Sequence, residues 1–126
     1  SRAMLAEAPL ARAEHASRHT LLDASADLPL FRYWRDAPGG GDRLRFARVR
    51  RVGAIAAIEA LVLAGAGVAV LPRYLVGPAL RRRALREILP AVRPLSDHFR
   101  LVFRLGDPRQ ALLEAVAATM RRAPLR

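Results

Sequence analysis

The chain has 126 residues, 52% of them hydrophobic, and contains no cysteine. This length supports one domain with one modest core, and the apolar content excludes a disordered or fibrous protein. The absence of cysteine excludes disulfides, thiolate zinc sites and thiol catalysis, and it is typical of a reducing compartment. The first residues also lack the pattern of a secretory signal peptide, so we expect a cytoplasmic protein.

The formal net charge of +11 raises the question of nucleic-acid binding, because a basic surface is the usual footprint of a phosphate binder. All 22 basic residues are arginine, however, and they occur beside abundant alanine. This bias is typical of a GC-rich coding sequence, whereas phosphate recognition gives no reason to exclude lysine. We therefore attribute the charge to composition. A small arginine-rich nucleic-acid-binding protein remains the alternative function.

The first third of the chain predicts few regular elements. Residues 1–19 are polar and rich in alanine, and we expect them to form a lead-in or crossover segment. Thr20 and Asp23 have the spacing that caps a short helical turn, here over residues 20–26. The apolar, partly aromatic run LPLFRY at 28–33 is typical of a strand.

The middle of the chain predicts a strand followed by a helix. The composition of APGGGD, residues 37–42, predicts a loop. It is followed by LRFARV at 44–49, where apolar and basic residues alternate. That alternation predicts a strand with one solvated face. Residues 52–65 carry apolar side chains at helical spacing, and Gly65 stands where a left-handed residue ends a helix.

The last half predicts a strand, a helix, a strand and a helix. The continuous apolar run GVAVLP at 67–72 indicates a buried strand, and residues 73–83 a short helix interrupted near Gly77 and Pro78. FRLVFRL at 99–105 alternates like a strand. The final helix, Pro108 to Ala123, is predicted with Asp107 as N-cap and Gln110 completing a capping box. Strands interleaved with helices predict an α/β fold.

The stretch VLAGAGVAVLPRYLVGP, residues 62–78, has three readings. A dinucleotide or Walker loop fails, because the helix precedes the strand, a third glycine is missing and the chain has no lysine. A membrane span over 52–72 would place the charge of Glu59 near its centre, at a cost of about 3 kcal/mol. A buried helix, a glycine turn and a buried strand account for the same residues without that cost. We therefore predict an α–β turn at Gly65 and Gly67.

The same residues resemble a known family. Residues 64–72, Ala-Gly-Ala-Gly-Val-Ala-Val-Leu-Pro, match the A-G-x-G-[IV]-A-x-L-P pattern in the effector-binding domain of LysR-type transcriptional regulators. The resemblance implies a type II periplasmic-binding-protein-like α/β fold. Residues 20–98 would form mainly its second subdomain, and residues 99–126 the returning strand and closing helix of the first. The resemblance further implies that this chain is the C-terminal part of a longer bacterial regulator.

The resemblance also implies a function without chemistry. Such a domain is expected to bind a small, possibly anionic effector in an inter-subdomain cleft and to form a homo-oligomer such as a dimer. DNA would be contacted only through a winged helix-turn-helix outside this chain. The implied ligand-binding residues lie at three places: Phe31 and Arg32, then Arg51, Val52 and Gly53, then Gly67 and Val68.

No arrangement of residues indicates an enzyme, a metal site or a cofactor. His15 and His19 are four residues apart, a spacing that metal ligands on a helix can have, but the sequence offers no third ligand nearby. The serines lack the glycine context of a nucleophile elbow. We therefore expect a non-catalytic protein without metal or cofactor, and no membrane association.

Overall fold

A computed structural model describes residues 1–98 and 100–123, and the chain divides into two compact units, Ser1–Ser96 and Asp97–Arg126. The elements of the first unit are α1 (Arg2–Glu7), a 3₁₀-helix (Ala13–Arg18), β1 (Thr20–Asp23), α2 (Arg32–Arg35), β2 (Arg48–Arg51), α3 (Ile55–Leu63) and α4 (Arg73–Arg81). The second unit contains α5 (Gln110–Arg122). The mixture of helices with a small parallel sheet agrees with the predicted α/β class.

The centre of the first unit is β1. The helical turn predicted over 20–26 is wrong, because Leu21 and Leu22 are both buried although they are neighbours in sequence. Successive side chains of a strand point to opposite faces, and here both faces are covered. Leu21 packs in a cluster with Phe31 and Trp34, and Leu22 packs in another with Ile58.

The partner of β1 is β2, which runs parallel to it with Thr20 opposite Arg48 and Asp23 opposite Arg51. β2, Arg48–Arg51, therefore begins four residues after the start of the strand predicted over 44–49. Its extent is set by pairing with the four residues of β1. All four residues of β2 are exposed, so the expectation of a single solvated face is wrong as well.

The α–β turn predicted from the glycine-rich stretch is present. Helix α3 buries Ile58 and Val62, and Gly65 follows it with a φ of +81°, a left-handed conformation that favours glycine. Val68 then forms a parallel bridge with Leu21. Of the strand predicted over 67–72, Val68 is the residue that pairs with β1. In the described part of the chain, no helix is long and apolar enough to span a membrane.

Gly67 is required by the closeness of two backbone segments. A Cβ atom at this position would lie 2.4 Å from the carbonyl oxygen of Thr20, which is far inside van der Waals contact. That same oxygen accepts the Val68 N–H at 2.9 Å, and the Val68 oxygen accepts the Leu22 N–H at 2.8 Å. A residue without a side chain is therefore needed where the chain meets β1.

Two further predictions in the first unit are wrong. Residues 28–33 are not a strand: the chain turns there and enters α2, because the N–H groups of Leu30 and Phe31 bond to the carboxylate of Asp23 rather than to a sheet. Helix α4 runs through Pro78 without the predicted interruption. Pro78 is exposed while Ala79 beside it is buried, so packing on the core holds the helix together.

The lead-in segment contains more structure than predicted. Helix α1 begins with the Ser1 hydroxyl, which accepts the Met4 N–H at 3.3 Å, and the 3₁₀-helix follows it. Leu10 and Ala16 are buried together with Val68 in a third apolar cluster. Residues 1–19 thus contribute to the core around β1.

The second unit differs from its prediction at both elements. Phe99 lies outside the described residues, and residues 100–105 form no strand; Val102 is 84% and Leu105 95% exposed. Helix α5 begins at Gln110, later than predicted. Asp107 does not cap that helix: its carboxylate accepts the Arg109 N–H at 2.8 Å and closes the turn before it.

Candidate functional site

The C-terminal end of β1 is held by one buried side chain, that of Asp23, which is 0% exposed. Its Oδ1 accepts the N–H of Ala24 at 2.6 Å and of Leu30 at 3.2 Å, and its Oδ2 accepts the N–H of Phe31 at 2.8 Å. Three backbone N–H groups therefore converge on its two carboxyl oxygens. The carboxylate therefore fixes the segment that leads into α2 against the end of the strand.

The backbone of the same turn holds a second segment. The Asp23 oxygen accepts the Val52 N–H at 2.9 Å, and the Ala24 oxygen accepts the Gly53 N–H at 3.0 Å. Together with the pairing of Asp23 with Arg51, these bonds place residues 51–53 beside residues 23–24. Helix α3 begins directly after this segment.

The structure thus brings together five of the seven predicted ligand-binding residues at this end of β1: Phe31, Arg32, Arg51, Val52 and Gly53. The other two, Gly67 and Val68, lie beside Thr20–Leu22, toward the start of β1. Three residue steps along the strand separate Thr20 from Asp23, a distance of about 10 Å. In a β–α–β unit the turn after the helix falls at the opposite end of the sheet from the turn before it, so Gly67 and Val68 lie apart from the other five residues along β1.

The five residues present different chemistry. Phe31 is buried, stacks on Trp34 with ring centroids 5.7 Å apart, and meets Phe46 edge-on at 5.6 Å. Arg32 and Arg51 are exposed. An aromatic cluster therefore anchors the segment from which Arg32 projects into solvent.

The start of α3 adds polar backbone groups to this edge. Its N-cap residue, Ala54, forms no side-chain cap, and its first turn contains no acidic residue. The free N–H groups and the positive end of the helix dipole thus have no anionic side chain of the helix itself to interact with. Such a helix start favours an anion.

Asp27 lies in the loop between Asp23 and α2. The Ser25 hydroxyl donates to Oδ1 of Asp27 at 2.5 Å, and this bond holds the pKa of Asp27 below its ordinary value. The positive charge of Arg32 lowers the same pKa further, as the smaller cause. Asp27 is therefore ionised at neutral pH and exposed, beside the cation predicted to meet the ligand.

Two clefts lie near these residues in the first unit. The larger, about 500 Å³, is lined by Thr20, Arg48, Val49, Arg50, Arg51 and Ala66, and is strongly cationic. A smaller one of about 290 Å³ exposes the edge of the Phe31 cluster, with Leu28, Leu44 and Phe46 in its wall. Each cleft reaches one of the five clustered residues, Arg51 in the first and Phe31 in the second.

Sequence reasoning missed Asp23, which joins both segments, and the cationic wall made by Arg48 and Arg50. An acid directly after the apolar pair Leu21 and Leu22 was the available sign, because a carboxylate at the end of a buried strand needs partners. Within the described residues, no group of three or more His, Asp or Glu side chains has the arrangement of a metal site.

The comparison with protein families gives one match. Residues 1–124 match the family described as "LysR substrate binding domain", which covers nearly the whole chain. No curated protein and no solved structure matches the chain. The match confirms the family resemblance, and with it a periplasmic-binding-protein-like α/β fold whose members belong to transcription regulators. The chain belongs to the LysR substrate-binding domain family.

Proposed function

We propose that this chain is the effector-sensing and oligomerising portion of a LysR-type transcriptional regulator, and that its effector is a small anion. The family match supports effector sensing as the general role. The gathering of Arg32, Arg51 and the uncapped start of α3 at one end of β1 carries the proposal of an anion. Guanidinium groups and helix N-terminal N–H groups both bind carboxylates and phosphates.

The residues have distinct proposed roles. Arg32 and Arg51 would each hold an anionic group. Val52 and Gly53 would shape the site where α3 begins, since their own N–H groups already bond to the Asp23 and Ala24 oxygens. Phe31 would contribute an apolar wall, because it lines the smaller cleft. Gly67 and Val68, which lie beside Thr20–Leu22, are proposed to contact the effector from the turn after α3.

The organisation of the domain forms part of the proposal. Residues 20–98 would form the second subdomain, with residues 1–19 as a crossover, and residues 99–126 would belong to the first. Binding of an effector between two such subdomains would change the proportion of molecules in the open and the closed state of the domain. A winged helix-turn-helix in the same regulator would transmit that change to DNA.

The test is a titration of the chain with benzoate, citrate and inorganic phosphate, with the fluorescence of Trp34 and the unfolding temperature as readouts. Trp34 is the only tryptophan and stacks on Phe31, so it reports on this end of β1. We expect at least one of these anions to change both signals. Arg32→Ala and Arg51→Ala should each weaken it about tenfold, equivalent to about 1.4 kcal/mol, with little change in the unfolding temperature of the free protein.

Arg86→Ala is the matched control, because Arg86 is an exposed arginine of the same unit in the segment after α4. It should leave the affinity unchanged. If Arg86→Ala weakens binding as much as Arg32→Ala does, the anion is attracted by overall charge and the proposed site is wrong.

A further inference from the structure

Three candidates stand out beyond the proposed contacts: the buried ring of His19, the exposed apolar face of α5 and the buried carboxylate of Asp23. His19 is 3% exposed, and its Nε2 has no hydrogen-bond partner among the described residues. His19 lines neither of the two clefts described above, so no candidate ligand site adjoins it there. Asp23 is the candidate for which specific bonds connect a buried group to both segments of the proposed site.

We infer that Asp23 is a positioning residue that fixes the Arg32 segment against the start of α3, an inference that rests on the proposed function. Its side chain holds the N–H groups of Leu30 and Phe31, while its main-chain oxygen holds that of Val52. One residue thus sets the position of both segments that carry the proposed anion contacts. Arg32 follows Phe31 directly, and Arg51 precedes Val52.

The chemistry of the group makes the arrangement specific for aspartate. Three N–H donors converge on the two carboxylate oxygens, so both oxygens must accept. Asparagine keeps one acceptor and places an NH₂ donor at the other position, facing an N–H group that it cannot bond. In Asp23→Asn we therefore expect the Phe31 or the Leu30 side of the turn to detach, while the backbone bond of Val52 remains.

Asp27 provides a matched control within the same loop. It is an exposed carboxylate bonded to Ser25, and it does not hold either segment. Asp27→Asn makes the same chemical change and removes the same charge near Arg32. Any difference between the two variants thus reports the hydrogen bonds of Asp23 and not the loss of a negative charge.

The experiment measures amide hydrogen exchange by NMR, Trp34 fluorescence and the affinity for the anion found in the titration with benzoate, citrate and phosphate. In Asp23→Asn the amide of Phe31 or that of Leu30 should exchange at least about tenfold faster, relative to those of Leu22 and Val68, which bond along β1. Trp34 emission should shift to longer wavelength, because Phe31 no longer anchors the ring. Anion affinity should fall about as far as in Arg32→Ala. Asp27→Asn should leave the amide exchange and the Trp34 emission unchanged, and it should not weaken binding of the anion, since it removes a negative charge beside Arg32.

The outcomes separate the inference from the proposed function. If all amides of the unit exchange faster together, Asp23 stabilises the fold as a whole and the positioning inference is overturned. If Leu30 or Phe31 is released but the anion binds as before, positioning is overturned while the proposed site stands. If the wild-type chain binds none of the three anions, the proposed function fails, and local release in Asp23→Asn decides on its own whether Asp23 fixes the segment.

Should Asp23→Asn fail to fold, Asp23→Glu tests the same point. Glutamate keeps two acceptors but adds a methylene, so it should restore acceptance of the N–H groups in part and move the segment outward. Affinity and Trp34 emission intermediate between wild type and Arg32→Ala support positioning. Wild-type values for both would overturn it.

Discussion

At the scale of single residues, Gly67 and Asp23 do the most to shape the first unit, and each does so through backbone contacts. Gly67 lets the chain after α3 approach Thr20 closely enough to bond. Asp23 gathers three N–H groups at the far end of the same strand. β1 is therefore fixed at both ends by contacts that tolerate little change.

Gly67→Ala should destabilise the chain by about 1–3 kcal/mol, since the new methyl group would meet backbone that cannot yield. The nearest atom is the Thr20 oxygen at 2.4 Å, followed by Cγ of Leu22 at 3.0 Å. Gly77→Ala is the contrasting variant: within α4 its methyl group meets only the end of the Arg81 side chain, at 3.4 Å. It should stabilise by about 0.5–1 kcal/mol. Urea denaturation measures both, and equal effects would refute the close approach at Gly67.

Gly67 and Asp23 also differ in how well their roles could be predicted from the sequence. A glycine between a helix and an apolar run is a local pattern, and the turn at Gly65 and Gly67 was predicted correctly from it. The role of Asp23 depends on N–H groups seven and eight residues away. A pattern of neighbouring residue types does not contain that information, so the same aspartate was assigned to a helical turn.

At the scale of elements, helices were predicted better than strands. Helix α3, Ile55–Leu63, lies within the predicted range 52–65. The short apolar run at 28–33 fits a strand as well as a buried turn. It forms a turn because the Leu30 and Phe31 N–H groups bond to the Asp23 carboxylate. Residues 100–105 alternate like a strand, yet in the described part of the chain they have no strand to pair with. Whether an alternating segment becomes a strand depends on a partner strand elsewhere in the chain, which the local sequence does not show.

The turn before α5 carries a testable charge effect. Arg109 donates from Nε to Oδ1 of Asp107 at 3.1 Å, and this side-chain bond, with the Arg109 N–H as the smaller cause, holds the pKa of Asp107 below its ordinary value. A depressed pKa in the folded state stabilises the turn above the ordinary pKa of aspartate. That contribution is lost as the pH falls through the lowered value.

A carboxyl ¹³C titration should therefore give Asp107 a pKa below that of an unstructured aspartate. Arg109→Gln should raise it toward the ordinary value, because the larger cause is removed. Arg104→Gln, which removes a nearby charge without a side-chain bond to Asp107, is the control and should change it little. A similar rise in both variants would mean that general electrostatics, and not the hydrogen bond, lowers the pKa.

At the scale of the whole molecule, the family was recognised from nine residues, 64–72, and the match over 1–124 confirmed it. The block encodes a helix end, a close approach and a strand, which together are specific to a fold. The relative positions of the seven predicted ligand-binding residues depend on tertiary structure. Five of them gather at one end of β1, and Gly67 and Val68 lie beside Thr20–Leu22.

Helix α5 presents an apolar face that predicts association. Leu112 is 62%, Val116 40% and Met120 50% exposed, and burying one leucine-sized side chain stabilises by roughly 1.5–3 kcal/mol. We expect a second copy to cover this face, most simply in a two-fold dimer. Leu113→Asp should then shift light scattering at micromolar concentration from dimer to monomer. Ala111→Asp, on the opposite side of the helix, should not; a wild-type monomer would disprove the association.

The exposed arginines of β2 bear on how the chain behaves at high concentration. In the described part of the chain β2 is bonded along one edge only, and a free edge is a template for adding strands from other molecules. Arg48, Arg50 and Arg51 would face like charges if two such edges met, and like charges opposite each other oppose pairing. Solubility should therefore depend on ionic strength and fall when polyanions neutralise the guanidinium groups, since the edge is protected by repulsion and not by a covering element.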